Sequence, residues 1–139
     1  MLECLILGDS IAVGTHSFRT ECVAYAKGGW NSWQWNRDYL NKDLTAGVVI
    51  ISLGSNDHKG VNTRAELLKM REKVQGKRVF WILPAGNHPK SNISIQEIQT
   101  IIKEVAKKYG DVILTIPALQ KDGVHPSWSG YKELAKQAR

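Results

Sequence analysis

Four short stretches of this 139-residue chain combine residue types that can cooperate in acyl chemistry. Gly8-Asp9-Ser10 follows an apolar run and precedes Ile11-Ala12-Val13-Gly14, which reads as the first turn of a helix. A serine at a strand-to-helix turn can point its hydroxyl into a crevice, where amides at the helix start favour developing negative charge; an acyl-transfer nucleophile needs both. Serine is also a preferred helix N-cap, and Ser10 taken alone fits that role as well. The segment is not a G-x-S-x-G elbow, because Ala12 stands where the last glycine would be. Near the other end lies Asp122-Gly123-Val124-His125-Pro126. This spacing lets one turn of chain bring a carboxylate to one imidazole nitrogen while the other faces a substrate, fixing the tautomer a general base requires. A surface turn with a capping aspartate would use the same residues.

Two further stretches could serve the same reaction. Gly54-Ser55-Asn56-Asp57 directly follows the most apolar run, so Asn56 can present an amide to the crevice. Such a donor stabilises a tetrahedral oxyanion by roughly 3 kcal/mol in the transition state. Asn and Asp also form turns, and Asp57 is read as mainly structural. Gly28-Gly29 precedes Trp30-Asn31-Ser32 and offers a backbone amide that substrate can approach closely, although paired glycines equally mark a tight loop.

These residues need a frame that brings the two ends of the chain together. Apolar runs of strand length recur at Leu2–Leu7, Cys22–Ala26, Val48–Leu53, Val79–Leu83 and Val112–Ile116. Most are continuous rather than alternating, which suits strands buried on both faces. Between them lie helical patterns, clearest at Arg64–Val74 and at Ser94–Tyr109, where Ile95, Ile98, Ile101, Ile102 and Val105 recur at helical spacing. Asn62 or Thr63 can cap the first, Ser94 with Glu97 forms a capping box for the second, and Gly76 and Gly110 supply stop signals. Tyr131–Lys136 reads as a last helix.

Strands alternating with helices predict an α/β fold: a three-layer α/β/α sandwich around a five-stranded parallel sheet of flavodoxin-like order 2-1-3-4-5, a single domain over residues 1–139. Ligands bind beyond the carboxyl ends of such strands, so the polar blocks placed just after strands carry the most weight.

Composition narrows the function classes. Hydrophobic residues at 42% and charged residues at 23% are ordinary for a globular domain and exclude a disordered or membrane-embedded chain. No apolar stretch reaches the roughly 18 residues of a membrane helix, and Leu2–Leu7 lacks the basic flank of a signal peptide. Cytoplasmic location is therefore the default expectation, with no stable membrane insertion. The formal charge of +6 favours anionic partners, but the basic residues are scattered and read as a solvated surface. No nucleic-acid partner is expected, in the absence of any arginine-rich or aromatic-interleaved motif. Cys4 and Cys22 fall in separate apolar runs and are read as buried thiols rather than a disulfide framework. No third His or Cys at ligand spacing supports a metal site, and no cofactor is expected.

In content and order the four blocks resemble the SGNH hydrolases, also called GDSL esterases and lipases. The matching stretches are Gly8-Asp9-Ser10-Ile11, Gly29 within Gly28-Gly29-Trp30-Asn31-Ser32, Gly54-Ser55-Asn56-Asp57 and Asp122-Gly123-Val124-His125-Pro126, spanning almost the whole chain. The resemblance implies Ser10 as nucleophile, His125 as base and Asp122 as its orienting partner. It also implies an oxyanion hole built from the amides of Ser10 and Gly29 and the Asn56 side chain. Two features depart from the pattern: Trp30 replaces a smaller or polar residue, and Gly28 is a second candidate for the oxyanion amide. The chain has little room for a lid, which implies an open site suited to small acyl groups or to acyl groups displayed on a polymer.

Asp9, Gly28, Trp30 and His58 are the candidates for substrate contact. The Trp30, Trp33 and Trp35 cluster could stack on a sugar ring or wall an acyl pocket, but at least one member is expected in the core. His16, His58 and His88 lack a carboxylate at triad spacing and are expected at the surface, and Trp128 and Tyr131 are expected to anchor the last helix. The competing functional class is a catalytically weak glycan- or lipid-binding module on the same fold.

Overall fold

The continuous apolar runs become the centre of one parallel sheet. The computed structural model describes residues 1–139, and its elements alternate: β1 (Leu2–Gly8), α1 (Ser10–His16), β2 (Val23–Ala26), α2 (Ser32–Tyr39), β3 (Thr45–Ser52), α3 (Thr63–Lys73), β4 (Gln75–Leu83), α4 (Ile95–Tyr109), β5 (Val112–Thr115) and α5 (Trp128–Gln137). The strand order is β2-β1-β3-β4-β5, with every pairing parallel, as the alternating pattern predicts.

Because successive side chains on a strand point to opposite faces, each run feeds two cores. Leu5, Leu7, Val49, Ile51 and Trp81 pack with Trp35, Leu67, Met70, Ile98 and Ile102, which α2, α3 and α4 lay on one face. Cys4, Ile6, Ile50, Phe80 and Ile82 pack with Ile11, Ala12 and Leu134 of α1 and α5 on the other. The result is three layers. Full burial of a Leu or Ile side chain contributes roughly 1.5–3 kcal/mol, so the two clusters together dominate the folding energy.

Local signals set most boundaries. Asn62 caps α3 by accepting from the Ala65 amide. Ser94 caps α4 by accepting from the Glu97 amide, and Gly110 ends α4 in the left-handed conformation. Four readings need correction. Gly76 is no helix stop: β4 begins at Gln75, immediately after α3, so Gly76 is a strand residue. β3 and β4 also begin earlier than their apolar centres, at Thr45 and Gln75, where they pair with each other. The eight-residue α2 was not expected; its sequence is polar, yet Asn31 and Gln34 form a full capping box at its start.

The fourth correction concerns the cysteines, which form a disulfide rather than two thiols. The β1/β2 register pairs Leu5 with Val23, which brings Cys4 opposite Cys22 with Cα atoms 4.7 Å apart. Two buried cysteines facing each other on neighbouring strands lie within bridging range.

Candidate active site

Gly8 allows β1 to end against β3. A Cβ at this position would lie 1.8 Å from the Ser52 carbonyl oxygen, and the residue sits at φ +144, so only glycine fits. The next residue, Asp9, caps α1 with its side chain accepting from the Ile11 amide, which makes Ser10 the first helical residue rather than the cap. The Ser10 amide therefore has no partner within the helix and stays available at its positive end.

The chain from Ala118 to Ser127 folds back on itself to deliver the imidazole. Leu119 and Pro126 form an antiparallel bridge, the Gln120 amide donates to the His125 carbonyl at 2.8 Å, and the Ser127 amide donates to Ala118 at 2.9 Å. Asp122 sits inside this turn. Its Oδ1 accepts from the amides of Val124 and His125 at 2.9 and 3.0 Å, and its Oδ2 lies 2.7 Å from His125 Nδ1. The imidazole bond first, then the two amides, lower the Asp122 pKa to about 2, so the group is a carboxylate near neutrality. A carboxylate can only accept, so Nδ1 carries the proton and Nε2 is left with its lone pair. Ser10 Oγ lies 2.8 Å from that Nε2 and donates to it. Residues 115 positions apart are thus joined in one relay from carboxylate to imidazole to hydroxyl.

Asn56 follows β3 at the same edge of the sheet. Its Nδ2 donates one hydrogen to the Trp30 carbonyl at 3.0 Å, which ties the third block to the second and leaves the other hydrogen free. Asp57 locks this loop in place. Its two carboxylate oxygens accept from the Ser32 amide, the Ser32 hydroxyl and the Thr63 hydroxyl at 2.7–2.8 Å, joining the starts of α2 and α3. Burial raises its pKa, and these three bonds act against that rise. Its role is structural, as expected.

Gly28 flanks the hydroxyl: a Cβ there would stand 3.7 Å from the Ser10 Cβ. Gly29 adopts φ +81, a conformation that favours glycine whatever the surrounding space. Gly29 and Asn56 together line a groove of about 290 Å³ that contains no hydrophobic residue and is also lined by His58, His88 and Lys90. A larger cavity of about 470 Å³, bordered by Val61, Arg64, Glu97 and Ile101, contains none of the candidate catalytic, oxyanion or substrate-contact residues.

Several substrate-contact expectations change. Asp9 is 0% exposed and holds α1 and Ser52 instead, so it cannot touch a bound ligand. Its Oδ2 is buried without a hydrogen-bond partner, and burial raises its pKa to about 7. Trp30 lies half-buried against Tyr39 with Lys27 and Arg37 over its ring, outside the groove. Trp35 is fully buried and donates to the Tyr25 carbonyl, whereas Trp33 is 52% exposed. His58 is exposed and lines the groove; His88 was expected only as a surface residue and lines it too. His16 is half-buried, with Nε2 bonded to the Cys22 carbonyl, rather than free at the surface. Tyr131 does anchor α5, its ring filling the space that a side chain at Gly14 would occupy. Trp128 contributes less, being 67% exposed and touching Phe18 edge-on. His88, Lys90 and Gln34 were not among the sequence candidates, because none lies in a strand-end block; only folding brings the segment after β4 beside α2.

No family model matches the sequence. No curated protein matches it either. The fold does have solved counterparts. A presumed acylhydrolase from Bacteroides fragilis NCTC 9343 superposes with TM-score 0.69 at 21% identity, covering 97% of this chain and 83% of that one. The C-terminal catalytic domain of Streptococcus pneumoniae peptidoglycan O-acetyltransferase A gives TM-score 0.67 at 19% identity, covering 96% and 88%. A member of the lipolytic G-D-S-L family from Veillonella parvula DSM 2008 gives 0.62 at 15% identity, covering 99% and 96%. The three-layer fold of SGNH/GDSL hydrolases is therefore the fold of this chain. No helix is long and apolar enough to cross a membrane.

Proposed function

We propose that this chain is an SGNH/GDSL-type serine ester hydrolase acting on small acyl esters, with Ser10, His125 and Asp122 as its catalytic triad. The observation that carries this reading is the unbroken hydrogen-bonded relay from Asp122 through His125 to Ser10. In the first half-reaction, Ser10 Oγ attacks the ester carbonyl carbon while its proton passes to His125 Nε2. The carbonyl oxygen takes up negative charge and is held by the Ser10 amide, a glycine amide from Gly28-Gly29 and the free hydrogen of Asn56 Nδ2. Collapse of this intermediate breaks the C–O bond to the alcohol, which leaves with the proton from Nε2. Water then attacks the acyl-enzyme, giving its proton to Nε2; the released acid departs and Ser10 regains its hydrogen. Asp122 keeps the imidazole in the accepting tautomer and stabilises the imidazolium. No step requires a metal or an organic cofactor.

The open groove beside Gly29 and Asn56, which no hydrophobic residue lines, suits the ester of an acetyl or other short acyl group, either on a small molecule or on a polymer-borne sugar. The fold is shared with a peptidoglycan O-acetyltransferase and with an acetyl xylan esterase, which supports polymer-borne acetyl esters as the substrate class. The Cys4–Cys22 disulfide favours an oxidising compartment over the cytoplasmic default. Steady-state turnover of p-nitrophenyl acetate tests the assignment: wild-type protein should release p-nitrophenol, and Ser10→Ala should lose at least about a thousandfold in kcat. Full activity in Ser10→Ala would end the proposal. Tight polysaccharide binding with no ester cleavage would put a binding module in its place.

A further inference from the structure

The groove beside the candidate oxyanion hole has an electrostatic character that narrows the substrate. Lys90, His58 and His88 line it, and no acidic residue does. Lys90 is exposed and makes no salt bridge with any carboxylate of the chain. Both histidines have one ring nitrogen already engaged by a backbone amide: the Gly60 amide donates to His58 Nδ1 at 3.0 Å, and the Lys90 amide donates to His88 Nδ1 at 3.1 Å. An Nδ1 that accepts carries no proton, so in each neutral ring the hydrogen sits on Nε2, which has no partner in the chain. Each ring is therefore fixed as an N–H donor even when uncharged. The carboxylate oxygens of Asp57, next to His58 in the chain, are taken by Ser32 and Thr63 and so do not compete for these donors' hydrogens.

Resting on the ester-hydrolase reading, we propose that the ester's alcohol is an anionic sugar, one carrying a carboxylate or phosphate that Lys90, His58 and His88 bind while the acyl group meets Ser10. Three donors in a groove that no carboxylate lines match an anionic oxygen group, and charge-assisted bonds of this kind are the stronger ones. No hydrophobic residue lines the groove to hold an aliphatic chain. Gly29 and Asn56 belong both to this groove and to the candidate oxyanion hole, so a sugar bound here presents a neighbouring ester to the nucleophile.

The test compares the methyl glycoside of an O-acetylated hexuronic acid, the corresponding O-acetylated neutral hexose and an O-acetylated hexose phosphate, all at low ionic strength. kcat/KM for at least one anionic substrate should exceed that for the neutral one by about tenfold, in line with charge-assisted hydrogen bonding. The better of the two identifies carboxylate or phosphate as the recognised group. Lys90→Glu should bring the ratio to one or below, whereas Lys107→Glu, an equal charge change on the exposed face of α4, should leave it unchanged. Equal kcat/KM for all three substrates, or the same loss of ratio in both variants, would overturn the proposal. Failure of the underlying reading is separable: it would show as no p-nitrophenyl acetate turnover at all. In that event, NMR titration of Ser10→Ala protein with the unacetylated hexuronate and hexose still decides the anion site. Tighter binding of the hexuronate, lost in Lys90→Glu, supports it, and equal affinities refute it.

Discussion

Asp122 takes three hydrogen bonds while standing at the surface, and this makes its task one of orientation rather than burial. Replacing it with Asn presents a donor to Nδ1 and favours the tautomer in which Nε2 carries the hydrogen. Asp122→Asn should therefore lower kcat by a factor on the order of 10⁴ with a native circular-dichroism spectrum, a loss that stopped-flow or long-time-course turnover can quantify. Asn56→Ala removes one oxyanion donor and should cost about 10² to 10³ in kcat, more than in KM. Asp9 governs stability instead. Its folded-state pKa lies near 7, above the unfolded value of 3.8, so the folded chain holds this proton more tightly than the unfolded chain does. Its effect on stability is most favourable below the unfolded value, declines as pH rises from about 4 to 7, and is level above that. Urea unfolding of wild-type and Asp9→Asn protein at pH 5 and pH 8 should show the wild type losing stability relative to the variant at the higher pH. Ser10 and Asn56 stood out as candidates because each lies in a short block just after an apolar run, and Asp122 and His125 because they share one turn of chain. Asp9 was misread because its neighbour in the chain faces the crevice, while its own burial depends on Ser52, 43 residues away.

At the scale of the element, the sheet and its helices were legible because a strand buried on both faces must be apolar throughout, and Ile98, Ile101, Ile102 and Val105 mark α4 by spacing alone. Helix α2 was not, since its polar sequence buries chiefly Trp35 and is defined by the Asn31–Gln34 capping box rather than by periodicity. The disulfide escaped for a related reason: two single cysteines reveal nothing until the β1/β2 register is known. It fastens the edge strand β2, which leads into Gly28-Gly29, to β1, which leads into Ser10. Closing a loop of this size stabilises by about 3 kcal/mol through loss of freedom in the unfolded chain. A Cys4→Ser, Cys22→Ser double variant should lower the urea midpoint by a corresponding amount, and reductant should shift the wild type in the same direction. An unchanged midpoint would show that the bridge contributes nothing.

For the molecule as a whole, the parallel sheet serves to bring three distant stretches to one edge, as is general for ligand sites beyond the carboxyl ends of strands. The polar groove was not legible from the sequence, because its walls come from α2 and from the segments after β3 and β4, which meet only in the folded chain. No hydrophobic residue lines it, so it offers a long acyl chain no apolar side chain to pack on. Across p-nitrophenyl esters, kcat/KM should be highest for acetate and fall as the chain lengthens toward octanoate; a maximum at the long end would require an apolar site elsewhere. The central claim is that the hydroxyl beside His125 is the nucleophile. Treating the protein with a fluorophosphonate and mapping the adduct by peptide mass spectrometry tests it most directly. The adduct should sit on Ser10 and vanish in His125→Ala, whereas labelling of a different serine, or none under conditions where p-nitrophenyl acetate is turned over, would contradict the claim.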